Sequence, residues 1–358
     1  MPEESDRPQV HVIGFGLIGA SIAMSLQRQG YVVSGADTNL EHEELARHLG
    51  VNTPDNPRDV GIVFVCVPPT QAASVMAHAS LDFPSATITD VTSVKNTVMH
   101  RAVALGCDPD RLVGAHPMAG REQSGPRSAR ADLFEDRVWV ITPSVSSEPE
   151  RMQMLHGVIG DMGSTWVQMS AEHHDRVVAT VSHAPQILSS VLAGELLNHD
   201  PEDLAISGAA LTDMTRIAAS DPQLWREILL TNSAEVLLVV DSLISTLSHV
   251  RNALAEGDSG AISDMLTRGN TGRSSVPGKH GGTPVTFEAV NVMVSDKPGA
   301  LAELFTAAGG LRVNLEDVRI EHVMGRPSGI VQLFVRQGEA ETLEAGLEEL
   351  GFSTRGRA

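Results

Sequence analysis

Residues 9–26 read QVHVIGFGLIGASIAMSL, and the fold follows from how this stretch is read. A run of apolar character ending at Ile13 passes directly into Gly14-Phe15-Gly16-Leu17-Ile18-Gly19, then into residues at helical spacing. At a strand-to-helix turn the G-x-G-x-x-G spacing has a mechanism: the first glycine allows a tight turn, the second lets backbone approach a pyrophosphate, and the third lets helix and sheet pack closely. The helix start then offers free amides and a positive dipole end to phosphates. Asp37 closes the next run, YVVSGAD (31–37), where a carboxylate accepts both ribose hydroxyls of NAD and repels a 2'-phosphate. The residues after it, TNLEHEE (38–44), contain no arginine to hold such a phosphate. The expected cofactor is NAD, bound by Gly14, Phe15, Gly16, Leu17, Ile18, Gly19 and Asp37, with Val67 and Pro68 at the end of the third run.

Working outward, GIVFVCVP (61–68), ATITDV (86–91), RLVGAHP (111–117), RVWVITP (137–143) and STWVQMS (164–170) continue the series of short Val/Ile-rich runs separated by helical segments. Continuous apolar strands alternating with helices predict a mostly parallel sheet covered on both faces, a Rossmann-like doubly wound α/β domain over residues 1–170. Strand signals then vanish. Residues 173–197 and 221–254 carry apolar positions three and four apart, which predicts an all-α domain over 171–268. The second of these helices is apolar over more of its circumference than one neighbour covers, so a homodimer or higher homo-oligomer through this domain is expected. GNTGRSSVPGKHGGTP (269–284) reads as a linker. Residues 285–358 show strand, helix, strand, strand, helix and a last short strand in STRGRA (353–358), a ferredoxin-like α+β unit.

The composition narrows the function classes. The 358 residues carry a net charge of −19, from 26 basic and 45 acidic side chains, which argues against nucleic acid or an anionic membrane surface as partner. MPEESDRPQV lacks the basic start and apolar run of a signal peptide, and no uninterrupted apolar stretch reaches the roughly 18 residues of a span, so a cytoplasmic protein is expected. With only Cys66 and Cys107, neither a disulfide framework nor a cysteine-built metal site is expected.

In open α/β sheets ligands bind beyond the carboxyl ends of the strands, and polar residues cluster there. TDVTSVK (89–95) puts Ser93 and Lys95 at a strand-to-helix turn, where Ser93 is either a helix cap or a reacting-group contact. GAHPMAGREQSG (114–125) puts His116 at the tip of a strand stopped by Pro117, with Arg121 and Glu122 beyond. Histidine titrates near working pH and suits removal of a hydroxyl proton while hydride leaves for the cofactor. The helical domain adds His183 and Gln186 in VSHAPQ (181–186), and Asp213, Arg216 and Trp225 in DMTRIAASDPQLW (213–225). Arg216 in an apolar helical context is either a structural ion pair or a carboxylate clamp.

Taken in order behind the glycine turn, DVTSVK, GAHPMAG, VSHAPQ and DMTRIAASDPQLW resemble the prephenate dehydrogenase family, and DKPGAL (296–301) with its α+β frame resembles an ACT domain. The resemblance spans essentially the whole chain. It implies NAD-dependent oxidative decarboxylation of prephenate to 4-hydroxyphenylpyruvate without a metal, with His116 as the base, Ser93 supporting the hydroxyl and the histidine, and Arg216 on a substrate carboxylate. His183, Gln186, Arg121, Glu122, Trp225 and Asp213 would line or brace the substrate pocket. It also implies feedback by tyrosine through Asp296, Pro298, Gly299, Ala300 and Leu301.

The chain departs from the family pattern at Thr92, Arg121, Gln186 and Thr212, where the family commonly has glycine, threonine, histidine and a basic residue. The last three border the side-chain pocket and leave prephenate and arogenate both open as substrates. Two other classes compete with this reading. A 3-hydroxy acid dehydrogenase would want a lysine in the helical domain, and residues 171–278 contain none. A non-enzymatic NAD- and amino-acid-binding regulator would have no use for His116, Ser93 and Arg216 together.

Overall fold

β1 (Gln9–Ile13) runs parallel to β2 (Val33–Ala36) on one side and to β3 (Val60–Val65) on the other, and β4 (Thr87–Asp90) extends the sheet in the order β2-β1-β3-β4. The structure is a computed structural model that describes residues 7–120, 125–276, 287–322 and 328–357. It divides into two units, Met1–Ser245 and Thr246–Ala358. Helices α1 (Leu17–Arg28), α2 (Leu40–His48), α3 (Pro69–Asp82) and α4 (Asn96–Ala104) connect or follow these strands. Strand β3 shows why its run is apolar throughout. Ile62 and Phe64 pack with Val10, Val12 and the α1 residues Ala20 and Leu26. Val63 and Val65 pack on the opposite face with Ala72 and Met76 of α3 and Val98 of α4. Alternate residues of a strand face opposite ways, so burial on both faces needs an unbroken apolar run.

β5 (Val113–Pro117), β6 (Val138–Pro143), α5 (Pro149–Asp161) and β7 (Thr165–Gln168) complete this half, and all seven expected strands are present. The expected continuous sheet is nevertheless interrupted. β5 pairs antiparallel with β6, β6 pairs parallel with β7, and the three form a separate ladder. A bridge between Ile88 and Leu112 joins β4 to the segment entering β5. Past it, side chains take over the backbone groups of Ala115. Asp90 Oδ1 accepts from Ala115 N at 3.4 Å, while the fully buried Lys95 ammonium donates to Ala115 O at 2.6 Å and to Asp90 Oδ2. A buried ion pair thus occupies the position of ladder hydrogen bonds and anchors the residue before His116.

In the helical region, α6 (Ala171–Val178) and α7 (Ala184–Glu195) are joined by a π-helical turn, Ala179–His183. Pro185 has no N–H for the Val181 carbonyl and its ring crowds that group, so the wide turn falls just before it. After α8 (Pro201–Leu204) and α9 (Ala209–Thr215), a 3-10 turn, Arg216–Ala219, leads into α10 (Pro222–Thr231). The helix expected over 221–254 is two helices, α10 and α11 (Ser233–Glu256), and the break falls at buried Asn232. Helix α11 runs from the first unit into the second and exposes Leu237, Leu238, Ile244, Leu247 and Leu254 by more than half. Residues 171–198 and α11 are each long and apolar enough to reach the range of a membrane span.

The expected linker begins later than its composition suggested, because α12 (Ser259–Ser274) continues through residues 269–274. The Thr267 and Thr271 hydroxyls donate to carbonyls four residues back, Ser263 and Thr267, so polar groups that commonly form turns are satisfied within the helix. The second unit then contains β8 (Phe287–Ser295), α13 (Ala300–Gly310), β9 (Asp317–His322), β10 (Ser328–Arg336), α14 (Ala340–Glu349) and β11 (Ser353–Arg357). Its antiparallel sheet has the order β11-β8-β10-β9, the ferredoxin-like arrangement. Val331, Leu333 and Val335 alternate along β10 and pack with Leu304 of α13 and Leu343 and Leu347 of α14.

Candidate active site

The glycine turn is shaped by what a side chain would hit. Gly14 has φ +96°, and a Cβ there would lie 2.5 Å from Cys66 O. A Cβ on Gly19 would lie 1.9 Å from Gly14 O. Gly16 differs from both: nothing lies within 4 Å of its Cβ position, and it borders a cavity of about 850 Å³. Helix α1 starts there with neither a side-chain cap nor an acidic residue in its first turn, leaving its positive end open. Leu17, Ile18, Val67 and Pro68 line the same cavity, as do Asn39 and His42, which the sequence reading missed.

Asp37 accepts from Phe15 N at 2.6 Å and Asn39 N at 2.8 Å, with His42 Nδ1 at 3.3 Å. It ties the glycine turn to the start of α2. The Phe15 ring is buried in the core, so of that residue only the backbone belongs to the turn. These residues fit a dinucleotide: an open glycine where backbone must meet a pyrophosphate, an uncapped helix start, and a carboxylate at the end of β2.

His116 and Ser93 line this cavity too. The Ser93 hydroxyl has no hydrogen-bond partner among the described residues, and His116 is held by another group. His116 Nδ1 lies 2.9 Å from His174 Nε2, and His174 Nδ1 lies 2.7 Å from Asp175 Oδ1. The Asp175 carboxylate also accepts from Lys95 N at 2.8 Å and Asn96 N at 2.9 Å. It therefore caps the N-terminus of α4 from a different helix, where Lys95, the residue at the cap position, supplies no side-chain cap of its own. Burial holds His116 well below the usual histidine range, and the neighbouring His174, Lys95 and His183 push it the same way. His174 is lowered as well, by burial first, against the opposing Asp175 contact. The sequence reading missed His174 and Asp175. The available signal was an Asp directly after two His in a helix that must be packed on one side.

The remaining candidates gather on α7, the 3-10 turn and α10. His183 is fully buried, and its Nδ1 accepts from Asn232 Nδ2 at 3.2 Å, which leaves Nε2 protonated and without a partner among the described residues. Burial lowers its pKa to about 4, opposed by the Asp175 charge. The Trp225 ring meets it edge-on at 6.0 Å. Gln186 is buried and donates to Ile217 O at 3.0 Å, so its amide braces the turn that begins with Arg216. Gln186 and Trp225 line a separate groove of about 490 Å³. Arg216 and Asp213 are exposed. Arg121 and Glu122 lie outside the described residues. In the second unit, Asp296, Pro298 and Gly299 form an exposed turn between β8 and α13, with Gly299 at φ +91°, and Ala300 and Leu301 open the helix.

A dinucleotide turn and a half-buried histidine lining one cavity, with a helical region packed beside them, define a nicotinamide-dependent dehydrogenase. Residues 22–168 match the family model for the prephenate dehydrogenase nucleotide-binding domain, and residues 170–268 match that for the prephenate dehydrogenase dimerization domain. The chain is 30% identical over 344 residues to a probable prephenate dehydrogenase of Streptomyces niveus, covering 93% of this chain and 95% of that one. It is 30% identical over 285 residues to a cyclohexadienyl dehydrogenase of Zymomonas mobilis, covering 76% and 97%. Among solved structures, prephenate dehydrogenase from A. aeolicus, in complex with hydroxyphenyl propionate and NAD+, superposes with a TM-score of 0.67 at 29% identity, covering 75% of this chain and 98% of that one. The chain belongs to the prephenate dehydrogenase family.

Proposed function

We propose that this protein oxidises prephenate with NAD to 4-hydroxyphenylpyruvate, carbon dioxide and NADH. The observation that carries this reading is that His116 and Ser93 line the same cavity as the open Gly16 turn. When bound, NAD supplies the hydride acceptor. His116, neutral at working pH, takes the proton of the ring hydroxyl as hydride leaves the carbon bearing it. Loss of the ring carboxylate as carbon dioxide leaves its electron pair in the ring, which becomes aromatic, and His116 returns its proton to the phenolic oxygen. Ser93 is free to hydrogen-bond that oxygen throughout. Arg216, on the turn that Gln186 braces, binds a substrate carboxylate, which gives a strongly acidic protein a local site for a dianion.

The exposed apolar face of α11 is the surface we assign to a homodimer, in keeping with the dimerization-domain match. We read residues 285–358 as an ACT domain that binds tyrosine at the turn around Gly299, in an enzyme that works in the cytoplasm. NADH formation measured with prephenate and with arogenate, each with and without tyrosine, tests the reading. Turnover of prephenate is expected; turnover of arogenate alone would replace the substrate, and turnover of neither would remove the activity. Tyrosine inhibition that persists unchanged in Gly299→Val would remove the effector role of that turn.

A further inference from the structure

We propose that His174 and Asp175 are positioning residues that lock His116 into one tautomer, with its proton on Nδ1 and its free lone pair on Nε2. The Asp175 carboxylate accepts the backbone N–H groups of Lys95 and Asn96 and lies at the N-terminal end of α4, where negative charge is favoured. An ionised carboxylate can only accept, so its 2.7 Å contact with His174 requires a proton on His174 Nδ1. A neutral imidazole carries one proton, so His174 Nε2 bears a lone pair. At 2.9 Å from that lone pair, His116 Nδ1 must be the donor. His116 Nε2 is then unprotonated and free to take a proton from a ligand in the cavity that the residue lines.

The surrounding groups reinforce this state. His116 is faced by His174 from α6, by Lys95 from the start of α4, and by His183 from the π-helical turn, all of which disfavour a second positive charge. Asp90 and Asp175 are the nearby carboxylates. Asp90 is bound to the Lys95 ammonium, the Thr92 hydroxyl and Ala115 N, and Asp175 to His174 and the amides at the start of α4. The aspartate thus acts on His116 through an intervening imidazole. Its anchorage on the helix start fixes the direction of both hydrogen bonds. The lock also couples the helical region to the end of β5, because the base on one is oriented by a side chain on the other.

The inference rests on reading His116 as the base, but its test is separable from turnover. In the full chain with NAD bound and 15N-histidine incorporated, long-range proton–nitrogen correlation at neutral pH reports which ring nitrogen carries the proton. His116 and His174 are both expected as Nδ1–H forms. His174→Leu should release His116 toward the other tautomer and lower kcat on the order of 10²-fold, with the KM for NAD unchanged. His174→Gln places an amide oxygen near the position of Nε2, and should keep the His116 Nδ1–H form and recover at least tenfold of that kcat. Asp175→Asn also disturbs the cap of α4, so the His174 pair is decisive. An Nε2–H form of His116 in the unsubstituted protein, an unchanged tautomer in His174→Leu, or equal kcat losses for Leu and Gln would each overturn the proposal. If His116→Asn retains near-normal turnover, the base reading falls while the tautomer measurement still stands.

Discussion

The glycine turn and the histidine at the tip of β5 face one cavity but are built on opposite plans. The turn is local: Gly14, Gly16 and Gly19 lie within six consecutive residues, and its geometry depends on side chains that are missing. The histidine is distributed. Asp90 and Lys95 hold the backbone before it, while His174 and Asp175 from α6 hold its ring. Asn232, at the break between α10 and α11, ties Asp175 O to His183. A local, side-chain-free site should tolerate changes of charge and fail when space is filled. A distributed, buried polar site should do the reverse.

The largest effect is expected at the ion pair. Lys95→Met leaves Asp90 fully buried without its cation and Ala115 O without a donor, and should cost about 3–5 kcal/mol in chemical denaturation. A loss under about 1 kcal/mol would show that the pair is not what replaces the β4–β5 ladder. Next, His116→Asn should retain NAD binding by calorimetry and lower kcat by about 10²-fold or more, equivalent to about 3 kcal/mol of barrier.

Acid should distinguish the two regions as well. His183 titrates at about 4 in the folded chain against 6.5 for the unperturbed group. Between those values the unfolded chain binds more protons, so stability falls as pH falls through that window. His183→Gln should therefore remove about 2 kcal/mol of the stability lost between pH 7 and pH 5; an unchanged slope would mean that His183 does not stay neutral when buried. The smallest effect is on the turn. No atom lies within 4 Å of a Cβ placed on Gly16, so Gly16→Ala should hardly change thermal stability, while NAD affinity should drop about tenfold or more as the β-carbon enters the space a pyrophosphate needs. Unaltered affinity would place the phosphates elsewhere.

The same division explains what could be read in advance. Seven strands, the glycine turn, Asp37 and the order of elements in the second unit were legible because each depends on neighbours within a few residues: apolar period, turn chemistry and helix start. His116 was legible because Pro117 and the apolar run before it mark a strand tip. What was not legible lay in longer-range physics. Phe15 sits inside the nucleotide motif yet turns its ring into the core, since Gly35 on β2 leaves room for it; a Cβ there would lie 2.5 Å from that ring. The helical end of the supposed linker followed from hydroxyls bonding back along α12 rather than outward.

The sequence by itself determined a doubly wound nucleotide-binding half, a helical region, a small α+β unit, and a histidine at the end of a strand near the cofactor turn. Only the tertiary structure decided how that histidine is held. His116 and His174 are 58 positions apart, Lys95 and Asp175 are 80 apart, and no local rule relates them. Periodicity and turn chemistry report interactions along the chain. A buried hydrogen-bond network depends on which separated polar groups must satisfy one another once water is excluded, and that is settled only when the elements pack.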